Sequence, residues 1–432
     1  MTRHQDGAHP RLGRDFSRFW TAATVSLIGD GVSAAAVPLL AASLTANAAL
    51  VGLSASVTSL PWLFFGLVSG ALVDRWDRLR VMWIVDCARF ALVAGLATAI
   101  ATGHGSIGLL LAVGFVLGIG QTLFDTAGEA VVPLLVPQGE GQRLLEKANS
   151  RRSFSETSAQ QFLGPPAGGF LFGVAASVPL FADAVSFGLS SLLVRGLARR
   201  RERSAPRSPD RTPARSRSML AETREGLVWL WRQPTLRTLA VTVGVTNLAY
   251  SASSAILVLY AQRRLELGAT AYGLLLTAVA VGGILGSLLA TTVSRVLGPG
   301  RTLAAALFLL AASRAGLGFT DDVVAATGCL MAAGLALSVF AVVAMSLRQR
   351  LVPDPLRGRV VSAYRLLALG TEPVGAALGG LVAAHAGVRA PFLLGAAMIA
   401  VLGVVTAHAL PNRALQVAEA VLPAARAGRT RS

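Results

Sequence analysis

The sequence predicts an all-α polytopic membrane protein with twelve transmembrane helices in two pseudo-symmetric six-helix bundles. Three observations support this prediction. Of the 432 residues, 53% are apolar and only 14% are charged, whereas soluble domains carry about 25% charged residues. The basic residues fall in alternate gaps between apolar stretches, and the second half of the chain repeats features of the first. A soluble enzyme, a secreted disulfide scaffold and a disordered chain are thereby excluded.

Twelve apolar stretches are long enough to cross a hydrocarbon core, which takes about 20 helical residues. In chain order these stretches are 17–43, 49–73, 81–102, 106–128, 155–174, 177–195, 236–261, 271–294, 302–319, 323–346, 361–384 and 390–410. Residues 199–218 are mainly Arg, Pro and Ser, which predicts a solvated linker between six spans and six. We therefore expect an N-terminal bundle (1–198), a cytoplasmic linker (199–234), a C-terminal bundle (235–411) and a cytoplasmic tail (412–432).

The placement of basic residues predicts the orientation in the membrane. If the N-terminus is cytoplasmic, nearly all of the 39 Lys and Arg residues lie in cytoplasmic segments or their flanks, which is the positive-inside distribution. The exceptions are Arg89, Arg263, Arg264, Arg314 and Arg389. Both termini are therefore expected in the cytoplasm, with the spans in the lipid bilayer. This topology explains the net charge of +17, so no nucleic-acid partner is expected.

The two halves of the chain echo each other at a constant offset of 216 residues. Gly70 in span two corresponds to Gly286 in span eight, and Val136-Pro137 corresponds to Val352-Pro353. Duplicated six-helix units place a substrate site at the interface of the halves and work by rocking one half against the other. We expect a cavity lined by spans one, four, seven and ten. The candidate substrate-binding residues there are Gln121, Phe124, Asn247, Tyr250 and Phe340.

Asp30, between Gly29 and Gly31, is the candidate proton-coupling residue. It lies eleven residues after Phe19, about 16 Å along a helix and so near the middle of a hydrocarbon core about 30 Å thick. No basic residue is expected at comparable depth in the N-terminal half. A carboxyl group in that position could exchange a proton near neutral pH. The alternative is an acid that only hydrogen-bonds between helices and never titrates.

The other charged residues within the spans are interpreted as structural. Asp86 and Arg89 are three residues apart on one face of span three, which predicts an internal ion pair. Asp183, Arg314 and Glu372 are single charges in their spans, for which a structural role is favoured over a functional one.

The most specific local signal is the stretch GALVDRWDRLRVM at residues 70–82. It resembles the signature loop of the major facilitator superfamily, G-x-L-x-D-R-x-G-R-R. The matching residues are Gly70, Leu72, Asp74, Arg75 and Arg78, and Asp77 stands where the family usually has Gly. The resemblance implies a charge latch that stabilises one conformation and breaks in the other. Asp125 and Glu129, one helical turn apart at the inner end of span four, are the expected partners of its arginines.

Three further stretches narrow the resemblance to one branch. SLIGDGVSAAAVPLL, FDTAGEAVVPLLVP and RQRLVPDPLRGRV resemble the macrolide-efflux and enterobactin-export relatives. This branch implies a secondary transporter in a bacterial inner membrane that exports hydrophobic or amphipathic small molecules from the cytoplasm. The expectation that protons are the coupling ion rests on Asp30. In span five, GPPAGG resembles part of a motif of the superfamily's antiporters, which implies close packing of spans five and eight. The packing residues would be Gly164, Pro165, Gly168 and Gly169.

Patterns typical of enzymes and of nucleotide or metal binding are absent from the sequence. The only lysine, Lys147, follows Glu146, so there is no P-loop, and the five histidines form no metal-binding pattern. We expect no catalysis, no cofactor and no metal, and we expect a monomer driven by an ion gradient. Two alternatives remain open: an importer or facilitator of a small metabolite, and a membrane scaffold or sensor that transports nothing.

Overall fold

A computed structural model describes residues 12–136, 141–204, 219–352 and 357–412. The chain in these ranges is helical and contains no strand. The helices are α1 (Arg14–Leu44), α2 (Ala48–Arg75), α3 (Arg78–Ala101), α4 (Ile107–Leu135), α5 (Gly141–Ser155), α6 (Gly164–Val174), α7 (Val178–Ser204), α8 (Met219–Arg232), α9 (Pro234–Ser254), α10 (Leu257–Arg263), α11 (Ala269–Leu297), α12 (Pro299–Phe319), α13 (Val323–Leu351), α14 (Arg357–Ala386) and α15 (Ala390–Ala409).

The predicted all-α membrane fold is confirmed. Within the described ranges, 10 helical stretches are long and apolar enough to cross a membrane. The fifth and eleventh predicted spans are helical as well, the fifth as a π-helix (Glu156–Leu163) followed by α6 and the eleventh as α14, but they fall outside that set of 10. Twelve membrane crossings therefore stay a prediction.

Two of the predicted spans are interrupted helices. Between α5 and α6 the backbone forms a π-helix, Glu156–Leu163, whose Gln160 backbone packs against Gly31 of α1. In span seven, α9 ends at Ser254 and α10 begins at Leu257. Such irregular turns concentrate at functional sites, and in transporters they occur where helices border a cavity.

The predicted linker contains more helix than its composition indicates. Helix α7 continues to Ser204, and α8 lies inside the predicted linker and packs against α14. Its Leu230 is fully buried in the apolar core of the C-terminal half. Because this apolar stretch follows the Arg-, Pro- and Ser-rich segment, the overall composition concealed it. Residues 205–218 of the linker and 413–432 of the tail lie outside the described residues.

The apolar core distinguishes the two ends of the helix bundle. We call the end where α1 ends and α2 begins the joined end, because one apolar cluster there contains residues of both halves, among them Leu39, Val51, Ile256 and Tyr272. At the opposite end, called the separated end, α2 ends and α3 begins. There the described residues form two clusters, one within residues 12–198 and the other within 230–410. The halves are thus packed together at one end and keep separate cores at the other.

Small residues bring helices of the two halves into close contact. A Cβ atom at Gly52 of α2 would lie 2.6 Å from the Cα of Gly380 in α14, and one at Gly169 of α6 would lie 3.0 Å from the Cα of Gly273 in α11. Neither approach would be possible with a larger side chain, since real Cβ atoms do not come so close to backbone atoms. The seam between the halves therefore runs along α2 with α14 and along α6 with α11.

Charged groups reinforce the joined end. The Arg263 guanidinium donates a hydrogen bond to the carbonyl of Ala46, 2.8 Å away, which links the two halves. Arg264 and Arg389 both donate to the Asp321 carboxylate, with N–O distances of 2.9 Å and 2.5 Å. Hydrogen bonds from these two arginines hold the pKa of Asp321 below its ordinary value. Asp321 lies between α12 and α13, so it ties together three connections of the C-terminal half.

Candidate functional site

A cavity of about 520 Å³ lies between the two halves. Its wall consists of spans one and seven, as predicted, and of α2 and α14 in place of the predicted spans four and ten. The reason is the close α2–α14 contact through small residues, which places these two helices at the seam. The lining residues are mostly small, apolar or hydroxyl-bearing: Ser33, Ala34, Val37, Pro38, Val51, Ser54, Ala55, Thr58, Ser59, Asn247, Tyr250, Ser251, Ser254, Ala255, Glu372 and Ala376.

The candidate substrate-binding residues occupy different environments. Asn247 and Tyr250 line the central cavity. Gln121 lines a second cavity, inside the N-terminal half. Phe124 and Phe340 are 8% and 6% exposed and pack in the apolar clusters of their own halves. The structure therefore brings only two of the five to the central cavity, and substrate binding by any of them stays a prediction.

The second cavity has a volume of about 190 Å³ and contains the candidate proton site. Asp30, Arg89, Gln121 and Asp183 line it, together with apolar residues of α1, α3, α4 and α7. Four residues line both cavities and so form a shared wall: Ser33, Val37, Ser54 and Thr58. The shared wall is only as thick as these short side chains. A change in the charge of Asp30 would therefore act on the central cavity across a short distance.

Arg89 is the centre of a buried polar network in this second cavity. Its guanidinium lies 2.9 Å from the carboxylate of Asp30 and 3.5 Å from that of Asp86. It also donates to the side-chain oxygen of Gln121. Gln121 in turn donates its NH2 group to Asp125, at 2.9 Å. The predicted Asp86–Arg89 pair is present, but as one part of a network that joins α1, α3 and α4.

Asp183 of α7 extends the network on the other side of Asp30. Its carboxylate accepts hydrogen bonds from Ser33, at 2.5 Å, and from Ser186, at 3.4 Å. Asp183 is 3% exposed. The backbone of α1 can approach it because position 29 is Gly: a Cβ there would collide with both Asp183 and Ser186. Asp30 and Asp86 therefore pair directly with Arg89, Asp125 is joined to it through Gln121, and Asp183 is bonded to Ser33 of the helix that carries Asp30.

The expectation that Asp30 has no cationic partner at its depth is wrong. Arg89 contacts it directly, although the two residues are on different helices. From the start of α3 at Arg78, the eleven residues to Arg89 cover about 16 Å, which is the depth inferred for Asp30. Arg89 is a long side chain whose guanidinium also stacks on the ring of Phe187, with 3.8 Å between the guanidinium carbon and the ring centroid.

The candidate latch is only partly within the described residues. The surroundings of Gly70 and the side chains of Asp74 and Arg75 lie outside them. Arg78 donates a hydrogen bond to the carbonyl of Ala130 in α4, at 3.1 Å. The latch itself stays a prediction.

The two acids expected to face the latch lie in different environments. Asp125 faces inward, toward Gln121, and Glu129 is exposed. Asp125 therefore belongs to the Arg89 network in this structure.

The GPPAGG stretch of span five packs against two helices. A Cβ at Gly164 would lie 2.5 Å from the carbonyl carbon of Gly31 in α1, and one at Gly168 would lie 3.0 Å from that of Val32. Gly169 faces α11, and the Pro165 carbonyl oxygen lies 2.5 Å from where a Cβ of Gly273 would be. This stretch thus connects the helix that carries Asp30 to the C-terminal half.

Two charged residues of the C-terminal half are placed in positions that sequence reasoning did not anticipate. Glu372 of α14 is exposed and lines the central cavity. Arg314 of α12 is 1% exposed, and its guanidinium carbon lies 4.4 Å from the centroid of the Tyr250 ring. The signal that could have singled them out is the charge itself, since an ionisable residue inside a span is costly and usually functional.

Apolar helices of membrane-spanning length, arranged in two halves around a polar cavity, define a multi-pass membrane protein with the fold of a transporter. The sequence profile of the family described as "Transmembrane secretion effector", of the major facilitator type, matches residues 9–426. The chain belongs to this family of transporters. The superfamily predicted from the sequence is thereby confirmed.

Curated relatives cover nearly the whole chain. The multidrug efflux pump Tap of Mycolicibacterium fortuitum is 29% identical over 92% of this chain and 96% of its own length. Tap of Mycobacterium tuberculosis is 28% identical over 92% of this chain and 94% of its own length. The macrolide efflux protein A of Streptococcus pyogenes is 24% identical over 90% of this chain and 94% of its own length.

Solved structures share the fold at low identity. A bacterial homologue of the iron transporter ferroportin, crystallised in an inward-facing state, superposes with a TM-score of 0.72 at 17% identity, over 92% of this chain and 99% of its own. A mutant of the nucleoside transporter NupG gives a TM-score of 0.72 at 11% identity, over 92% of this chain and 100% of its own. These two similarities concern the fold alone.

Proposed function

We propose that this protein exports hydrophobic or amphipathic small molecules, of the drug or macrolide class, across a bacterial inner membrane in exchange for protons. Its membership in a secretion effector family and the names of its relatives support efflux. Proton coupling is supported by one observation above all. Asp30 and Asp86 pair with the Arg89 guanidinium, Asp125 and Asp183 lie beside this pair, and the cavity that Asp30 and Arg89 line adjoins the cavity between the halves.

The charge balance of this network explains why it suits proton exchange. Asp30, Asp86, Asp125 and Asp183 together with Arg89 would carry a net charge of −3 if every group were ionised. Uncompensated charge in a low-dielectric interior costs several kcal/mol per ion. Protons bound within the network remove that cost, and a second cation that enters the neighbouring cavity would favour their release. The network is therefore the place where proton occupancy and cargo occupancy can influence each other.

The transport cycle follows from the two ends of the bundle. The basic residues indicate that the separated end faces the cytoplasm, with both termini. In this state cargo enters the central cavity from the cytoplasmic side. Closure of the separated end and opening of the joined end would then expose the cavity to the outside. Protons from outside would reach Asp30 through the shared wall and help to release the cargo.

The remaining parts of the proposal concern organisation. The residues from Gly70 to Arg78, with Asp125 and Glu129, would form the latch of the cytoplasmic side in the state in which that side is closed. The two bundles would extend over 1–198 and 235–411 and move as units. A single chain contains both halves and the cavity between them, so a monomer suffices for function.

The replacement of Asp30 by Asn tests the coupling. Asp30→Asn retains the size and a hydrogen-bonding group but removes the exchangeable proton, so pH-gradient-driven efflux from inverted membrane vesicles should fall to background. The Asp15→Asn variant, at a half-exposed position at the start of α1 that lines neither cavity, is the matched control and should keep wild-type efflux. Both variants should reach the membrane in equal amounts and elute as folded protein. Undiminished gradient-driven efflux by Asp30→Asn would refute the role of Asp30.

A further inference from the structure

Among the described residues, one charged side chain lines the central cavity. Of the residues that line it, Glu372 alone carries a formal charge. The others are apolar residues, hydroxyl-bearing residues and Asn247. Asp30, which was expected to serve both proton and cargo, lies in the other cavity and is paired with Arg89. The structure therefore separates the network around Asp30 from a lone carboxylate where cargo would bind.

Glu372 is held in place by its backbone and not by its carboxylate. The Ser251 hydroxyl donates to the backbone carbonyl of Glu372 at 2.7 Å, which fixes α14 beside α9 at the level of Tyr250. The Glu372 side chain is exposed, and among the described residues its carboxylate has no ion pair or hydrogen bond. Glu372 lies in the middle part of α14, flanked by Thr371 and by Pro373, whose carbonyl accepts a hydrogen bond from Ser56 of the other half.

An ionised side chain inside a membrane span is costly, and it normally pairs with another group or faces a water-filled cavity or a ligand path. Among the described residues that line this cavity, none is cationic. Arg314 contacts the ring of Tyr250, 4.4 Å from its centroid, but does not itself line the cavity. A cationic group on a bound molecule would compensate the carboxylate, while the Tyr250 ring and the aliphatic side chains contact the apolar part of that molecule.

We propose that Glu372 recognises a single cationic centre, such as a protonated amine or a quaternary onium group, on the exported amphiphile. This inference rests on the proposed efflux function and specifies its substrate class. It also gives the two halves different roles: the C-terminal half binds the charged group of the cargo, and the N-terminal half binds the protons. The shared wall of Ser33, Val37, Ser54 and Thr58 separates the two charges.

The test is a binding measurement without any gradient. Tetraphenylphosphonium and the uncharged triphenylphosphine oxide share three phenyl groups on phosphorus, and the fourth substituent is a phenyl group in the cation and an oxygen in the oxide. Their binding to purified wild-type protein in detergent can be compared directly. Wild type should bind the cation more tightly. Glu372→Gln should weaken binding of tetraphenylphosphonium by about 10- to 100-fold, as expected for the loss of one charge-assisted contact. The affinity of Glu372→Gln for triphenylphosphine oxide should stay within about twofold of the wild-type value. This change is small, since a tenfold change in affinity corresponds to about 1.4 kcal/mol.

Glu146→Gln, a change at an exposed position of α5, is the matched control and should bind both probes as wild type does. Equal loss of both probes, or no loss of either, in a folded Glu372→Gln protein would overturn the proposal. Equal affinity of wild type for both probes would overturn it too, even if the variant does not fold. Charge-selective binding without pH-driven efflux would retain this inference and refute the proton coupling. Gradient-driven efflux of neutral compounds alone would retain the proton coupling and refute the recognition of a cationic centre by Glu372.

Discussion

At the scale of single residues, Arg89 determines which charges the N-terminal half can bury. It contacts Asp30 and Asp86 and is linked to Asp125 by two hydrogen bonds through Gln121. Its guanidinium also stacks on Phe187, which fixes the plane of the group. Without Arg89 the carboxyl groups of Asp30 and Asp86 would lose their cationic partner. We therefore expect Arg89 to stabilise the fold as well as to take part in transport.

Replacement of Arg89 by Gln should destabilise the protein strongly. Loss of one partner of a buried ion pair leaves the other charge uncompensated, which costs about 3–5 kcal/mol of unfolding free energy. The additional change Asp30→Asn should recover part of this loss, because it removes one of the uncompensated charges. Thermal unfolding in detergent measures both effects. Arg80→Gln, at an exposed position of the same helix, is the control and should remain near wild type. Equal stability of Arg89→Gln and Arg80→Gln would contradict this role.

The residue pattern predicted which positions are unusual but not how they pair. Asp30 was identified from its depth in an apolar span, and depth follows directly from helical rise. Its contact with Arg89 depends on how α1 and α3 are rotated about their axes, and the abundance of glycine and alanine gives these helices no clear polar face. For the same reason Glu372 was interpreted as structural, although it faces the cavity, and Phe124 and Phe340 were assigned to a cavity although they pack in cores.

At the scale of helices, glycine positions decide which helices can touch across the two halves. Helix α11 approaches α6 at Gly273, where a Cβ would lie 2.5 Å from the Pro165 carbonyl oxygen and 3.2 Å from the Cα of Gly169. The atoms in contact belong to the backbones of α6 and α11, so they can move only if the helices move. Any side chain at this position must therefore push the helices apart near the joined end.

A methyl group at position 273 tests this contact. Gly273→Ala should destabilise the protein by about 1–3 kcal/mol, the usual cost of overpacking, and should reduce efflux because the halves no longer meet at the joined end. Gly95→Ala is the matched control, since Gly95 lies in the middle of α3 with nothing near its Cβ position. It should be neutral or more stable by about 0.5–1 kcal/mol, because alanine favours helix. A Gly273→Ala protein as stable as Gly95→Ala would show that the helices tolerate displacement.

The positions of the helices could be predicted from the sequence more completely than their irregularities. Most predicted spans begin and end within a few residues of a helix, because a membrane helix needs an uninterrupted apolar stretch. Helices α4 and α7 continue seven and nine residues beyond the predicted ends at 128 and 195. The π-helix at Glu156–Leu163 and the break between α9 and α10 arise from packing against neighbours, for example Gln160 against Gly31. Helix α8 escaped prediction because it is short and follows a charged segment.

At the scale of the whole molecule, the two halves are joined at one end and keep separate cores at the other. The joined end combines a shared apolar cluster with the hydrogen bond from Arg263 to the Ala46 carbonyl. At the separated end the described residues form one apolar core in each half, and α2 also contacts α8 there. An alternating-access cycle requires the joined end to come apart, so its contacts must be strong enough to close it and weak enough to open.

A reversible covalent link across the joined end should therefore stop transport. Cysteines at Ala46 and Arg263 lie on opposite halves, and the present contact between these residues is 2.8 Å. In a background in which Cys87 and Cys329 are replaced by Ser, a short bifunctional thiol reagent should couple the pair and abolish efflux from vesicles, and reduction of the link should restore it. Each single cysteine variant, treated in the same way, should keep its activity. Full efflux by the linked protein would mean that cargo leaves without separation of this end, and alternating access between the two halves would have to be abandoned.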